Sequence, residues 1–159
     1  MKKLALSIMA LVLFITVQAQ EKITAKNIIS NWTLVALQVP NALYYNFETD
    51  SVVLDGDLKI QMEAGGNLPA AIDTIKIQFA GLRNISFAFK ADGTGTINDG
   101  INPSEEITYT IDEVKGTITT TSLKAGSIDE LKAEFVKEFL QLQMGEESGN
   151  LIFILRKVK

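Results

Sequence analysis

No cysteine and no histidine occur among the 159 residues, and proline and tryptophan are scarce, at three and one. Without cysteine there are no disulfide staples, no thiol nucleophile and no lipid-modified cysteine behind a leader. Without histidine the commonest general acid/base and metal ligand is missing, which excludes Ser-His-Asp and Cys-His catalysis. Together the two absences exclude the usual zinc sites. Basic charge is also short: 15 Lys and Arg face 19 Asp and Glu, a net charge of −4. Nucleic-acid binding needs clustered cations, so no nucleic-acid partner is expected. Repeats, low-complexity tracts and linkers are lacking too, so a single domain is expected.

What is present begins with an export leader. Lys2 and Lys3 precede an apolar run from Leu4 to Val17, and Val17-Gln18-Ala19 carries small residues where a signal peptidase reads. Residues 1–19 are therefore expected to be a signal peptide cleaved after Ala19, leaving 20–159 as one domain in the periplasm or outside the cell. The competing reading is an N-terminal membrane anchor, but the run falls short of the roughly 20 residues that span a bilayer. No transmembrane segment is expected in the mature chain.

Period-two patterns dominate the rest of the chain. Ile85, Phe87 and Phe89 alternate with small or polar residues, then Asp92-Gly93 supplies a turn before Thr94–Ile97. Strands are also expected over 31–39, around Leu43-Tyr45-Phe47, over 107–112, over the β-branched 117–121, and over 151–156. Residues 50–64 fit either a hairpin turning at Asp55-Gly56 or a helix bearing Leu54, Leu58 and Met62, with the helix preferred. Pro69–Leu82 predicts a helix through Ile72, Ile75, Phe79 and Leu82, although Ile75, Ile77 and Phe79 also alternate. Ser127-Ile128-Asp129-Glu130 has the form of a capping box, and Ile128, Leu131, Phe135, Phe139 and Leu142 predict a helix over 128–142. These elements make a mainly β (α+β) domain with one to three helices.

Few residues suggest chemistry. The carboxylate pairs Glu105-Glu106, Asp55/Asp57 and Glu146-Glu147 read as solvated surface. Asp92-Gly93-Thr94-Gly95 lacks the lysine and the following helix of a phosphate loop. A carboxylate hydrolase needs two carboxylates about 5–10 Å apart in one cleft, and no spacing here asks for that. The aromatics are more informative. If the strands close into a barrel, Phe87, Phe89, Tyr109 and Phe153 are candidate linings of an apolar pocket, with ordinary core as the competing reading. Closure would also bring Arg156 near Trp32 for a stacked cation–π contact.

A leader ending Val-Gln-Ala-Gln, then Ile28-Ile29-Ser30-Asn31-Trp32-Thr33-Leu34-Val35, the Phe87–Ile97 hairpin, Tyr109-Thr110-Ile111-Asp112 and a final apolar strand together resemble the small secreted lipocalin-like domains of Bacteroidetes. The Ala64-Gly65-Gly66 stretch is similar to that of their helix-inserted variant. Ser30 stands where those domains carry glycine. The resemblance covers most of residues 27–158 and implies a small antiparallel barrel or half-barrel. The expected function is then a non-enzymatic exported protein binding a small apolar ligand, with no cofactor and no metal. The alternative is an envelope or surface interaction protein with a filled core.

Overall fold

The computed structural model describes residues 21–145 and 150–159. The leader and the Glu146-Glu147 pair lie outside them. In chain order the elements are α1 (Ala25–Ile28), β1 (Ser30–Val39), β2 (Leu43–Asn46), β3 (Ser51–Leu54), α2 (Gly56–Ala64), α3 (Leu68–Phe79), a 3-10 turn (Ala80–Asn84), β4 (Ser86–Phe89), β5 (Thr94–Asn98), β6 (Glu105–Asp112), β7 (Thr117–Ser122), β8 (Ile128–Val136), β9 (Phe139–Met144) and β10 (Leu151–Lys157).

Strands β4 to β10 pair in sequence order, all antiparallel, and β1 pairs with both β4 and β10. The result is a closed eight-stranded barrel, which leaves no open edge in the ring. Strand β1 serves two neighbours along one edge. Ser30–Thr33 pair with β4, whereas Ala36–Val39 pair with β2. A register shift between Leu34 and Ala36 opposite β10 bends the strand where it changes partner. The β2–β3 hairpin and the helices after it are thus an insertion at one end of the barrel.

The two ends differ. At one end lie the β4–β5, β6–β7 and β8–β9 turns, all short, with the N-terminal segment across them. Thr24 and Asn27 cap α1 reciprocally. Ile23 and Ile28 are buried, the Trp32 indole N–H donates to the Ile28 carbonyl at 2.8 Å, and the Trp32 ring lies 5.7 Å from that of Phe135. This end is plugged. At the other end lie the longer 99–104 and 123–127 loops, the Met144 end of β9 and the insertion.

The hairpin at Asp92-Gly93 forms as expected. Gly93 has φ 79, and Asp92 accepts from the Thr94 N–H at 3.0 Å and from its hydroxyl at 2.6 Å. Gly95 is required by crowding, since a Cβ there would sit 2.4 Å from the Ala88 carbonyl oxygen. Residues 56–64 form the preferred helix, without Leu54, and the hairpin turning at Asp55-Gly56 does not form, because the strand before it takes β2 as its partner. Ser51–Leu54 pair with β2, and Asp55 caps α2 by accepting from the Asp57 N–H at 3.3 Å. Helix α3 begins with Pro69 in its first turn and lays Ile72, Ile75 and Phe79 half-buried beneath it.

Residues 128–142 overturn the helix expected there. They form the β8–β9 hairpin, with Phe135 opposite Leu140 and Ala133 opposite Leu142. Leu131, Ala133 and Phe135 alternate inward, as do Leu140 and Leu142, and all five are buried. The helical stripe would have buried Ile128, which is 69% exposed. The reversal sits at Lys137-Glu138, where Lys137 adopts φ 59. No Gly or Asn marks that turn, so the chain carried no local signal for it. The capping box does not form either, because the Ser127 carbonyl accepts from the Ser122 N–H across the β7–β8 loop. Closure decided the matter: β7 and β10 both need partners, and β8 and β9 supply them.

Arg156 also departs from expectation. The last strand does lie beside Trp32, but Arg156 is opposite Thr33 on the outer face, and its guanidinium pairs with Glu48. Trp32 faces inward, so the two side chains are on opposite sides of the sheet.

Candidate functional site at the open end

Inward-facing residues reach the open end along β4, β5, β7, β8, β9 and β10. Phe87 is opposite Ile97, and Thr120 is opposite Asp129, so each pair shares a face. Between them is a cavity of about 170 Å³, walled by Ile85, Phe87, Ile97, Leu131, Met144 and Phe153, with Thr120, Asp99 and Asp129 as its polar groups. Larger depressions of about 350 and 910 Å³ lie near the closed end, but charged side chains of the outer surface line much of both.

The four aromatics expected to act together are split by height. Phe87 and Phe153 border the cavity. Phe89 continues the row toward the closed end, its ring 6.2 Å from Phe87 and nearly parallel. Tyr109 meets Phe89 edge-on at 4.9 Å, and its hydroxyl donates to the Lys90 carbonyl at 2.6 Å. Burial raises the Tyr109 phenol above its ordinary pKa. Phe89 and Tyr109 are therefore packed below the cavity, where Trp32, Ile118, Leu140 and Leu155 complete the core.

Several lining residues escaped sequence reasoning. Ile85 and Ile97 were legible as members of the hairpin's alternating rows. Leu131 and Asp129 were hidden by their assignment to a helix, and Met144 fell at its end. Among the described carboxylate pairs, Glu105 and Asp55 take structural roles. Ser122 donates to Glu105, Glu106 is exposed, and Asp55 is a helix cap. Among the described residues, no buried side-chain nitrogen or oxygen lacks a partner, and no group of three or more carboxylates is placed to hold a metal.

A second polar constellation ties the insertion to the sheet. The Tyr45 hydroxyl donates to Asp50 at 2.7 Å, and Lys76 and Arg83 pair with the same carboxylate at 2.9 and 3.1 Å. Lys76 first, then Tyr45, holds the Asp50 carboxyl below the usual carboxylate range. Burial, and then the Asp50 bond, push the Tyr45 phenol up. Asp50 itself sits at φ 51. One turn residue thus links β2, α3 and the 3-10 turn above the upper half of β1.

No family model, curated protein or solved structure matches the chain.

Proposed function

We propose that the protein is an exported, lipocalin-like carrier that binds a small apolar ligand at the open end of its barrel and performs no catalysis on it. The apolar cavity of about 170 Å³ between Phe87 and Phe153 carries this reading. An engineered cavity of about 150 Å³ lined by aliphatic and aromatic side chains holds benzene, so this one suits a single ring or a short alkyl chain. The leader at residues 1–19 and the resemblance to secreted lipocalin-like domains support export to the periplasm or beyond.

The test is to purify the protein from its native source and search by mass spectrometry for a co-purifying small molecule, then to titrate toluene while following the Leu131 and Met144 methyl resonances. A bound apolar molecule, or saturable methyl shifts, is expected. A second reading is an interaction protein of the cell envelope or surface. It is favoured by Ile101, Leu123 and Ile128, which stand 75%, 58% and 69% exposed on or beside the open-end loops. Repeated absence of a ligand together with unmoved methyls would favour it.

A further inference from the structure

The cavity is apolar in its walls and one-signed in its charges. Its charged lining residues are Asp99 and Asp129, both carboxylates. Asp129 is opposite the buried Thr120, which places it on the inner face at the rim. Asp99 accepts from the Ile101 and Asn102 N–H groups at 2.9 and 2.7 Å and from the Asn102 side-chain amide at 2.7 Å. These donors are neutral, so they keep Asp99 ionised without cancelling its charge. Among the described residues neither carboxylate has an ion-pair partner. Lys124 lies in a neighbouring depression that shares Ile97 and Asp99, not in the cavity lining.

Building on the binding function proposed above, we propose that the occupant is a small amine: an apolar body about the size of one aromatic ring, carrying an ammonium group that sits at the rim between Asp99 and Asp129. The walls suit the body by size and polarity. The rim suits a cation, because two unpaired carboxylates there repel an anion and are neutralised by an ammonium. A carboxylic acid or phosphate of the same bulk is disfavoured by the same charges.

Toluene, benzylamine and benzoate share one body and differ in charge, so titrating each into the full chain at neutral pH separates the two claims. Benzylamine is expected to bind about tenfold more tightly than toluene, and benzoate most weakly. Added salt is expected to weaken benzylamine and leave toluene unchanged. Asp129→Asn should bring benzylamine close to toluene, and a circular dichroism spectrum and melting temperature like those of the parent chain show that the variant is folded. Asp99→Asn, which retains an oxygen acceptor for its turn, gives a second reading of the same loss. If toluene binds and benzylamine binds no better, the amine is wrong and an apolar ligand stands. If neither moves the Leu131 and Met144 methyls, both the amine and the carrier reading fall.

Discussion

The closed and open ends of this barrel share eight strands and differ in what crosses them. At the closed end short turns are covered by α1, and Ile23, Ile28 and Trp32 are at most 2% exposed. At the open end longer loops leave Met144 at 37% and Ile101 at 75%, and a cavity remains between Phe87 and Phe153. The closed end is covered over, whereas the open end keeps a gap in its packing, and binding surfaces are usually found on loops held by such a scaffold.

The largest expected effect tests that division directly. Trp32→Ala removes a buried ring and its bond to Ile28, and should lower unfolding free energy by about 3–5 kcal/mol. Met144→Ala at the rim should cost less than about 1 kcal/mol. Urea denaturation of the two variants measures the contrast, and equal losses would erase it.

An intermediate effect concerns acid and the insertion. The folded state lowers the pKa of Asp50, so its contribution is present above the ordinary carboxylate pKa near 3.9 and is lost as pH falls through the lower folded value. Amide protection of α3 is therefore expected to fall below about pH 4, with that of β8 and β9 retained longer. Asp50→Asn should lower α3 protection already at neutral pH and flatten its acid dependence. Hydrogen exchange read by mass spectrometry checks both, and an unchanged α3 would show that the Tyr45-Asp50-Lys76-Arg83 cluster does not hold the insertion.

The smallest effect is at the closed-end turn that the sequence did not announce. Lys137 occupies a left-handed conformation, so Lys137→Gly should stabilise by up to about 1 kcal/mol. A raised melting temperature with unchanged toluene binding is the expected result. A fall would mean that the lysine side chain contributes more than its backbone strain costs.

Legibility in the sequence followed the range of the deciding contacts. Strands with strict alternation and a nearby turn signal, such as Ile85–Ile97 and Thr117–Thr121, were readable because their partners are sequence neighbours. Residues 128–142 were not, because Leu131, Phe135 and Leu142 satisfy a helical stripe and also fall on the inner face of a hairpin. Two periods fit one segment, and pairing with β7 and β10 chose between them. The candidate site suffered from the same ambiguity: Phe87 and Phe153 were named, while Leu131 and Asp129 were lost with the misassigned helix.

By itself the sequence determined the fold class and which catalytic side chains the chain does not carry. Its alternating strands, its missing histidine and cysteine and its acidic balance are composition and local pattern, which need no partner to be read. Tertiary structure decided which end is plugged, that β8 and β9 are strands, and that Phe87 and Phe153 border a cavity while Phe89 and Tyr109 lie packed beneath it. The physical reason is register. A residue's height in a barrel depends on pairings between strands far apart in the chain, such as Leu37 with Phe153, and no local pattern encodes that distance.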